Sequence, residues 1–358
     1  MTNTGEIFSR ERLIEMLSLH EPKAIESLYG LAKSIAYETF LGDVYMRGLI
    51  EVSNICAKNC NYCGIRADNG NIQRYLMPIE KVEEAAQFAF DNNLGSVVIQ
   101  SGERNDKAFT DYLDDVIKMV MRISDGKLAI TLSCGEQTEE TYRRWFESGA
   151  KRYLLRIETT NIALYKTIHP NNNKHNFSHR LEALTALKDI GYITGTGVMI
   201  GLPGQTIADL ADDLLFFRDL EVDMVGMGPY LVHAETPMAA DEAKLLPIEK
   251  RFELSMKMIS ALRILMPDIN IAASTALQAI KPEGRMLALH SGANVMMPNI
   301  TPVEFTENYF LYDGKPGTTV EPAEKLEGII SDIRKAGFNP CFNVSGNPPH
   351  FYRTQQTA

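Results

Sequence analysis

The chain has 358 residues, of which 45% are hydrophobic and 23% charged. That balance is ordinary for a globular protein and excludes a disordered, collagenous or coiled-coil chain; the length allows two domains or one large α/β barrel. The formal charge of −10 supplies no basic field to hold nucleic acid or an anionic membrane. No apolar run approaches the roughly 18 residues of a membrane span, and Met1–Glu6 lacks the basic and apolar regions of a secretory signal, so a cytoplasmic location is expected.

Residues 9–40 carry apolar positions at helical spacing (Leu13, Ile14, Leu17, then Ile25, Leu28, Tyr29, Ala32, Ile35), broken at Glu21-Pro22, and predict two packing helices. After Gly48 the rhythm changes. Apolar runs at 49–53, 95–101, 127–133, 152–158, 195–201, 223–229, 270–275 and 293–298 predict strands. Amphipathic stretches at 78–93, 109–124, 138–148, 177–190, 205–220, 247–265 and 282–291 predict the helices between them. Strands alternating with helices imply βαβ units and a parallel sheet. Eight such units in about 250 residues favour a closed (β/α)8 TIM-type barrel over a doubly wound sheet. The expected organisation is an N-terminal helical extension (1–47), the barrel (48–300) and a C-terminal extension (301–358) packed on it. That extension has one helix at 321–336 and a polar end that should fray.

In such barrels chemistry collects at the C-terminal ends of the strands. Here those ends carry Ser101-Gly102-Glu103, Ser133-Cys134-Gly135-Glu136, Arg156 and Glu158, Gly201-Leu202-Pro203-Gly204, Ser274-Thr275 and Met297-Pro298-Asn299. Arg156 and Glu158 are two apart, so a strand would aim both into the lumen. Five cysteines are too few for a disulfide scaffold, and three of them, Cys56, Cys60 and Cys63, share one short loop. Three thiolates reach three corners of an iron–sulfur cube, and since such clusters normally take four cysteines, one iron is left open for a small chelating ligand. Zinc held by three cysteines and a histidine is an alternative, although no histidine lies near this loop in sequence. A trio of buried free thiols is another.

The C-x3-C-x2-C pattern, with Tyr62 before its last cysteine and the first barrel strand ahead of it, resembles the radical S-adenosylmethionine superfamily. The segments RGLIEVSNICAKNCNYCGIR (47–66), VIQSGE (98–103), RYLLRIET (152–159), GVMIGLPGQT (197–206), DMVGMGPYLVH (223–233) and ANVMMPNITP (293–302) together resemble HydE-type maturases of [FeFe]-hydrogenase, in the biotin synthase-like group. The resemblance spans roughly residues 40–315. It implies one [4Fe-4S] cluster on Cys56, Cys60 and Cys63, with S-adenosylmethionine chelating the open iron and yielding a 5′-deoxyadenosyl radical. It further implies cofactor contacts from Ser101, Gly102 and Glu103 (amino group), Arg156 (carboxylate), Glu158 (ribose), Arg180, Ile200 (adenine) and Tyr309. Gly197, Gly201 and Gly204 would then let the adenine approach the backbone. Ser274, Thr275, Met297 and Tyr312 match positions lining the substrate cavity, whose occupant would be a small cysteine-bound iron carbonyl cyanide complex. A low-potential electron donor is implied as partner.

Two departures stand out. Relatives often carry three further cysteines in the C-terminal part, where this chain reads Asp313 to Pro322 without one, so no second cluster is expected. Ile157 replaces a histidine of the strand-four motif. A paralogue acting on an organic substrate, as 3-methylornithine synthase or biotin synthase does, and a non-enzymatic metal protein both remain open at this point.

Overall fold

The computed structural model describes residues 9–357; the segment read for a signal lies outside them. Two helices come first, α1 (Arg10–Leu17) and α2 (Pro22–Phe40). The Ser9 hydroxyl caps α1 by accepting the Arg12 N–H, and Pro22 opens α2 where a missing N–H costs nothing.

The strands are β1 (Asp43–Ser53), β2 (Ser96–Ser101), β3 (Ala129–Ser133), β4 (Ala150–Leu154), β5 (Ile193–Thr196) with its continuation β6 (Met199–Ile200), β7 (Met224–Val225) with its continuation β8 (Gly228–Pro229), β9 (Asn270–Ile271) and β10 (Val295–Met296). They pair in parallel in the order β10-β1-β2-β3-β4-β5-β7-β9, with β6 and β8 forming a separate parallel pair. The remaining seam, between β9 and β10, is closed by an Ala272–Val295 bridge. There Ala273 N–H donates to Val295 O (2.9 Å) and Asn294 N–H to Ile271 O (3.0 Å). Eight strand positions therefore close on themselves, as the alternation predicted.

Around them run α3 (Ile79–Asp91), α4 (Lys107–Ile123), α5 (Glu139–Ser148), α6 (Ile162–Ile168), α7 (Phe177–Ile190), α8 (Ile207–Asp219), α9 (Ile248–Leu265), α10 (Thr275–Ile280) and α11 (Gly284–His290). Side chains of Asp106, Thr138 and Asn176 cap α4, α5 and α7, and Thr206 with Asp209 forms a capping box on α8. The strands are buried on both faces, which explains their unbroken apolar runs. Helix α1 packs on α8, and α2 on α9. Among the described residues no helix is long and apolar enough to cross a membrane.

The C-terminal tail departs from expectation. After α12 (Val303–Thr306) and α13 (Pro322–Lys335), strand β11 (Asn339–Cys341) pairs with the start of β1, and α14 (Pro349–Thr357) follows. The intervening residues cross the N-terminal mouth of the barrel. Arg47 Nη2 donates to Gly346 O (3.1 Å), Asn270 Nδ2 to the same carbonyl (2.8 Å), and Arg152 Nε to Asn347 Oδ1 (3.0 Å). The tail does not fray because it supplies acceptors to buried donors.

Candidate active site

β1 runs into an irregular segment, residues 54–76, that arginine and asparagine side chains hold in place of secondary structure. Asn54 Nδ2 donates to Gln73 O (2.8 Å) and Asn308 O (2.7 Å). Arg74 donates to the carbonyls of Asn54 (2.7 Å) and Ile65 (2.8 Å). The cysteine loop so fixed carries Cys56, Cys60 and Cys63, none of them in a disulfide. Backbone N–H groups of Lys58 and Glu103 point at Cys56 Sγ, at 3.4 and 3.3 Å. Burial first, and then the neighbouring thiols, push Cys60 up to about 12 and Cys63 well above the usual thiol range. Thiols whose ionisation is opposed by burial need a cationic metal centre to hold all three deprotonated.

The fold brings histidines to this loop that its sequence neighbourhood lacks. His175 Nε2 accepts the Asn59 N–H (2.9 Å) while Nδ1 meets Asn172 Oδ1 (2.7 Å). His169 Nδ1 meets Tyr165 O (3.0 Å), and its ring lies edge-on to Tyr62 with centroids 5.4 Å apart. Burial pushes the two imidazoles down to about 4 and about 3, respectively. His175 has both ring nitrogens engaged and His169 packs against Tyr62, so both brace the loop and neither faces it as a free ligand. Among the described residues no three His, Cys, Asp or Glu side chains converge as one metal ion requires. Three free thiols on one short loop are the donor set of three corners of an iron–sulfide cube.

The end of β2 lies against the loop. Gly102 N–H donates to Ser53 O and Ala57 N–H to Glu103 O, both at 2.8 Å. A side chain at Gly102 would place its Cβ 2.4 Å from Ile55 O, so only glycine permits this approach. Ser101 Oγ donates to Gly102 O at 2.8 Å. The Glu103 carboxylate joins a square of charges with Lys58 (3.0 Å), Arg180 (3.3 Å) and, across both cations, Glu136. Burial pushes Glu103 up, against the downward pull of Arg180 and Lys58.

Arg156 and Glu158 do not lie on a strand, because β4 ends at Leu154. Glu158 has φ +67°, a conformation costly for a side chain of its size and characteristic of functional sites. That turn brings the two together as a bidentate pair, both contacts at 2.9 Å. The glycines of the next strand also differ from expectation. A Cβ on Gly197 would meet Gly226 O at 1.9 Å, and one on Gly201 the Arg251 side chain at 2.5 Å, so protein atoms already take that space. Gly204 alone of the three faces open space. Ile200 is buried in β6, its carbonyl accepting the Tyr230 N–H at 2.8 Å.

Residues 307–320 form a strap over the C-terminal mouth. Gly64 N–H donates to Leu311 O and Asp313 N–H to Val232 O, each at 3.0 Å. Tyr309 O–H accepts from Gln100 (3.2 Å), and Tyr312 O–H meets Thr275 Oγ1 (3.0 Å). Lys315 Nζ sits 2.5 Å from Glu51 Oε1. Ser274 Oγ is buried without a partner. Met297 lines a narrow lumenal cavity with Arg47, Thr131, Met224 and Asn270. Arg47 and Arg152, both buried, have no carboxylate partner among the described residues; burial brings Arg47 down to about 10 and Arg152 well below its usual range. Cys134 is an enclosed thiol that meets Ile99 O at 3.6 Å.

Sequence reasoning passed over Lys58, Glu51, Lys315, Arg47 and Arg152, and it placed Glu136 at a strand end without giving it a role. One signal was available: β2 and β3 both end in Gly-Glu, at Gly102-Glu103 and Gly135-Glu136.

The radical SAM superfamily model matches residues 50–217. A curated relative, the [FeFe] hydrogenase maturase subunit HydE of Thermotoga maritima, is 44% identical over 308 residues, covering 86% of this chain and 85% of the relative. The chain belongs to the HydE family of radical S-adenosylmethionine enzymes. The 3-methylornithine synthase of Methanosarcina barkeri is more distant, 26% identical over 330 residues, with 91% of this chain and 88% of the synthase covered. Among solved structures, methylornithine synthase superposes with a TM-score of 0.79 at 22% identity, covering 94% of this chain and 95% of that one. The maturase HydG of Carboxydothermus hydrogenoformans gives 0.79 at 18%, covering 93% and 76%. These last two speak for the shared barrel alone.

As a HydE-family enzyme the chain works with a [4Fe-4S] cluster and S-adenosylmethionine. Its residues fit them: three half-buried free thiols on one short loop, two N–H groups directed at Cys56, and histidines that brace the loop.

Proposed function

We propose that this enzyme acts on a small anionic iron carbonyl cyanide complex bound to cysteine, on the route to the di-iron centre of an [FeFe]-hydrogenase. Cys56, Cys60 and Cys63 hold its one cluster, and no second cluster is bound. When bound, cluster and S-adenosylmethionine supply reductive homolysis of a C–S bond and hence a carbon-centred radical. Every other task falls to the chain. Glu103, framed by Ser101 and Gly102, accepts from the amino group of the cofactor, and Arg180 holds that carboxylate in place. Arg156 meets the cofactor carboxylate and Glu158 the ribose. Ile200 supplies apolar surface to the adenine, and Tyr309 closes over the site from the strap. Ser274, Thr275, Met297 and Tyr312 line the substrate side, where two hydroxyls and a thioether suit a soft metal complex.

One observation carries the substrate class. Arg47 lines the lumenal cavity, Arg152 is buried, and among the described residues no acid opposes either. An unpaired buried cation is expensive, and an anionic ligand in the lumen would repay it. The support for hydrogenase maturation is the likeness to the Thermotoga protein. A low-potential donor would reduce the cluster, and the reading places the enzyme in the cytoplasm without nucleic acid or membrane partners.

Anaerobic reconstitution, reduction and assay of 5′-deoxyadenosine tests the reading. Expected are cofactor cleavage and its stimulation by the iron complex, but not by lysine or dethiobiotin. Stimulation by an organic substrate alone would replace the maturase reading; an intact cluster with no nucleoside product would end the enzymatic one.

A further inference from the structure

Four charged side chains from distant parts of the chain form a closed square. Lys58 Nζ lies 3.0 Å from Glu103 Oε1 and 2.9 Å from Glu136 Oε2. Arg180 Nη2 lies 3.3 Å from Glu103 Oε2, and its Nε 2.6 Å from Glu136 Oε1. That last contact is short but off-line, an ionic contact more than a directed hydrogen bond. All four side chains are at most 17% exposed, so solvent screens them little. Lys58 also donates to the Lys174 carbonyl, which ties the square to the loop before α7.

We propose that Glu136 and Lys58 are positioning residues that set the net charge met by S-adenosylmethionine at Glu103. The inference rests on the reading that Glu103 faces the amino-acid end of the cofactor. Two cations and two acids sum to zero, and each cation is shared between both acids. Glu136 thereby keeps Lys58 and Arg180 from closing on Glu103 alone, which preserves negative charge there for an incoming ammonium. S-adenosylmethionine carries an ammonium, a sulfonium and one carboxylate, a net charge of +1. Removing the Glu136 charge leaves the square at +1, which repels the ligand. Removing the Lys58 charge leaves it at −1, which attracts it. The two substitutions therefore shift affinity in opposite directions. A role in packing alone would weaken binding in both. Neither substitution removes the backbone N–H groups of Lys58 and Glu103 that point at Cys56 Sγ, so the loop keeps its ligands.

The experiment compares reconstituted wild type, Glu136→Gln, Glu136→Asp, Lys58→Met and the Lys58→Met/Glu136→Gln double variant. Binding of S-adenosylmethionine is measured by equilibrium dialysis per loaded cluster, with iron content and thermal midpoint reporting loading and folding. Glu136→Gln should raise Kd about tenfold, and Lys58→Met should lower it by about threefold or more. The double variant and Glu136→Asp should stay within about threefold of wild type, since each preserves the net charge. Both single variants weakening binding, or neither moving it, overturns the proposal. Glu103→Gln separates the two failures. If it binds as wild type does, the underlying reading of Glu103 is wrong; if it weakens binding while Lys58→Met and Glu136→Gln move together, only the charge proposal is.

Discussion

Replacing Lys315 with methionine should unfasten the strap that roofs the barrel. Lys315 Nζ lies 2.5 Å from Glu51 Oε1, with side-chain exposures of 8% and 1%, and it also donates to Tyr309 O at 2.9 Å. Removing one partner of a buried pair costs roughly 3–5 kcal/mol, because the other charge is stranded. Asn299 Nδ2 still donates to Glu51 Oε2 at 3.0 Å, which places the expected loss near the lower end, about 3 kcal/mol. For a chain somewhat larger than those that shift 2–4 °C per kcal/mol, that is a fall in Tm of about 3–6 °C. Removing both charges, as in Glu51→Gln/Lys315→Met, should recover most of it, so that the double-mutant cycle shows a coupling larger than the loss recovered, of at least about 2 kcal/mol. The assay is thermal or urea unfolding of the four proteins, with limited proteolysis within residues 313–320 as the local readout. A neutral single variant, or a double variant as unstable as the sum of its parts, would refute the reasoning.

Three further outcomes follow from the same geometry. Arg47→Met removes a buried cation that no acid opposes, so its Tm should hold or rise while turnover of the anionic substrate drops at least about tenfold and substrate-free cofactor cleavage persists; equal loss of both activities would count against an anion subsite. Asp213 is pushed up to about 7 by burial, from 3.8. The folded state therefore keeps a proton that the unfolded chain has lost, and stability should fall by about 1.4 kcal/mol per pH unit between about pH 4 and 7 before levelling; urea titrations of Asp213→Asn should lack that slope, and an unchanged slope would clear Asp213 of it. Cys60→Ala should lose most bound iron after reconstitution, whereas Cys134→Ala should keep it and cost only about 1–2 kcal/mol of packing; iron analysis and Tm decide.

What the sequence disclosed and what it withheld follow a physical line. Strands buried on both faces appear as apolar runs, and the eight runs located the barrel because burial acts on each run by itself. The break after Leu154 was hidden, since RYLLRIE reads as one run and nothing in it announces that Glu158 turns left-handed. β11 was missed because Asn339-Pro340-Cys341 has no strand pattern; it exists only because the edge of β1 offers partners. The cysteine loop was legible as chemistry because its three cysteines fall close together in sequence. Its support was not, because Lys58, Glu103, Glu136 and Arg180 are pairwise separated by 33 residues or more and meet only after three strands and a helix are in register. His175 reaches Asn59 across 116 residues for the same reason.

The tail after the barrel has a part in the chemistry. A radical that abstracts hydrogen from most organic groups must be made in a chamber closed to solvent and to stray side chains. A TIM-type barrel supplies the wall but leaves two open ends. Here both covers come from the last fifty residues or so of one chain. The strap lies on the cysteine loop through Leu311 and on Glu51 through Lys315. The segment around Gly346 takes the donors of Arg47 and Asn270 at the opposite end. The two covers are fastened differently. The floor is held by the Gly346 carbonyl and the Asn347 side-chain oxygen, which accept from the buried side chains of Arg47, Asn270 and Arg152. The roof is held by one buried ion pair and a few exchangeable hydrogen bonds, and it carries Tyr309 and Tyr312 with it. On this reading the roof is the entrance, and Lys315→Met should raise the amount of 5′-deoxyadenosine formed per substrate converted, because a loosened roof lets hydrogen donors other than the substrate, such as the thiol of a reductant, reach the radical. Were the ratio to rise instead when the floor is cut, by Asn347→Ala or Asn270→Ala, the two ends would have to exchange roles.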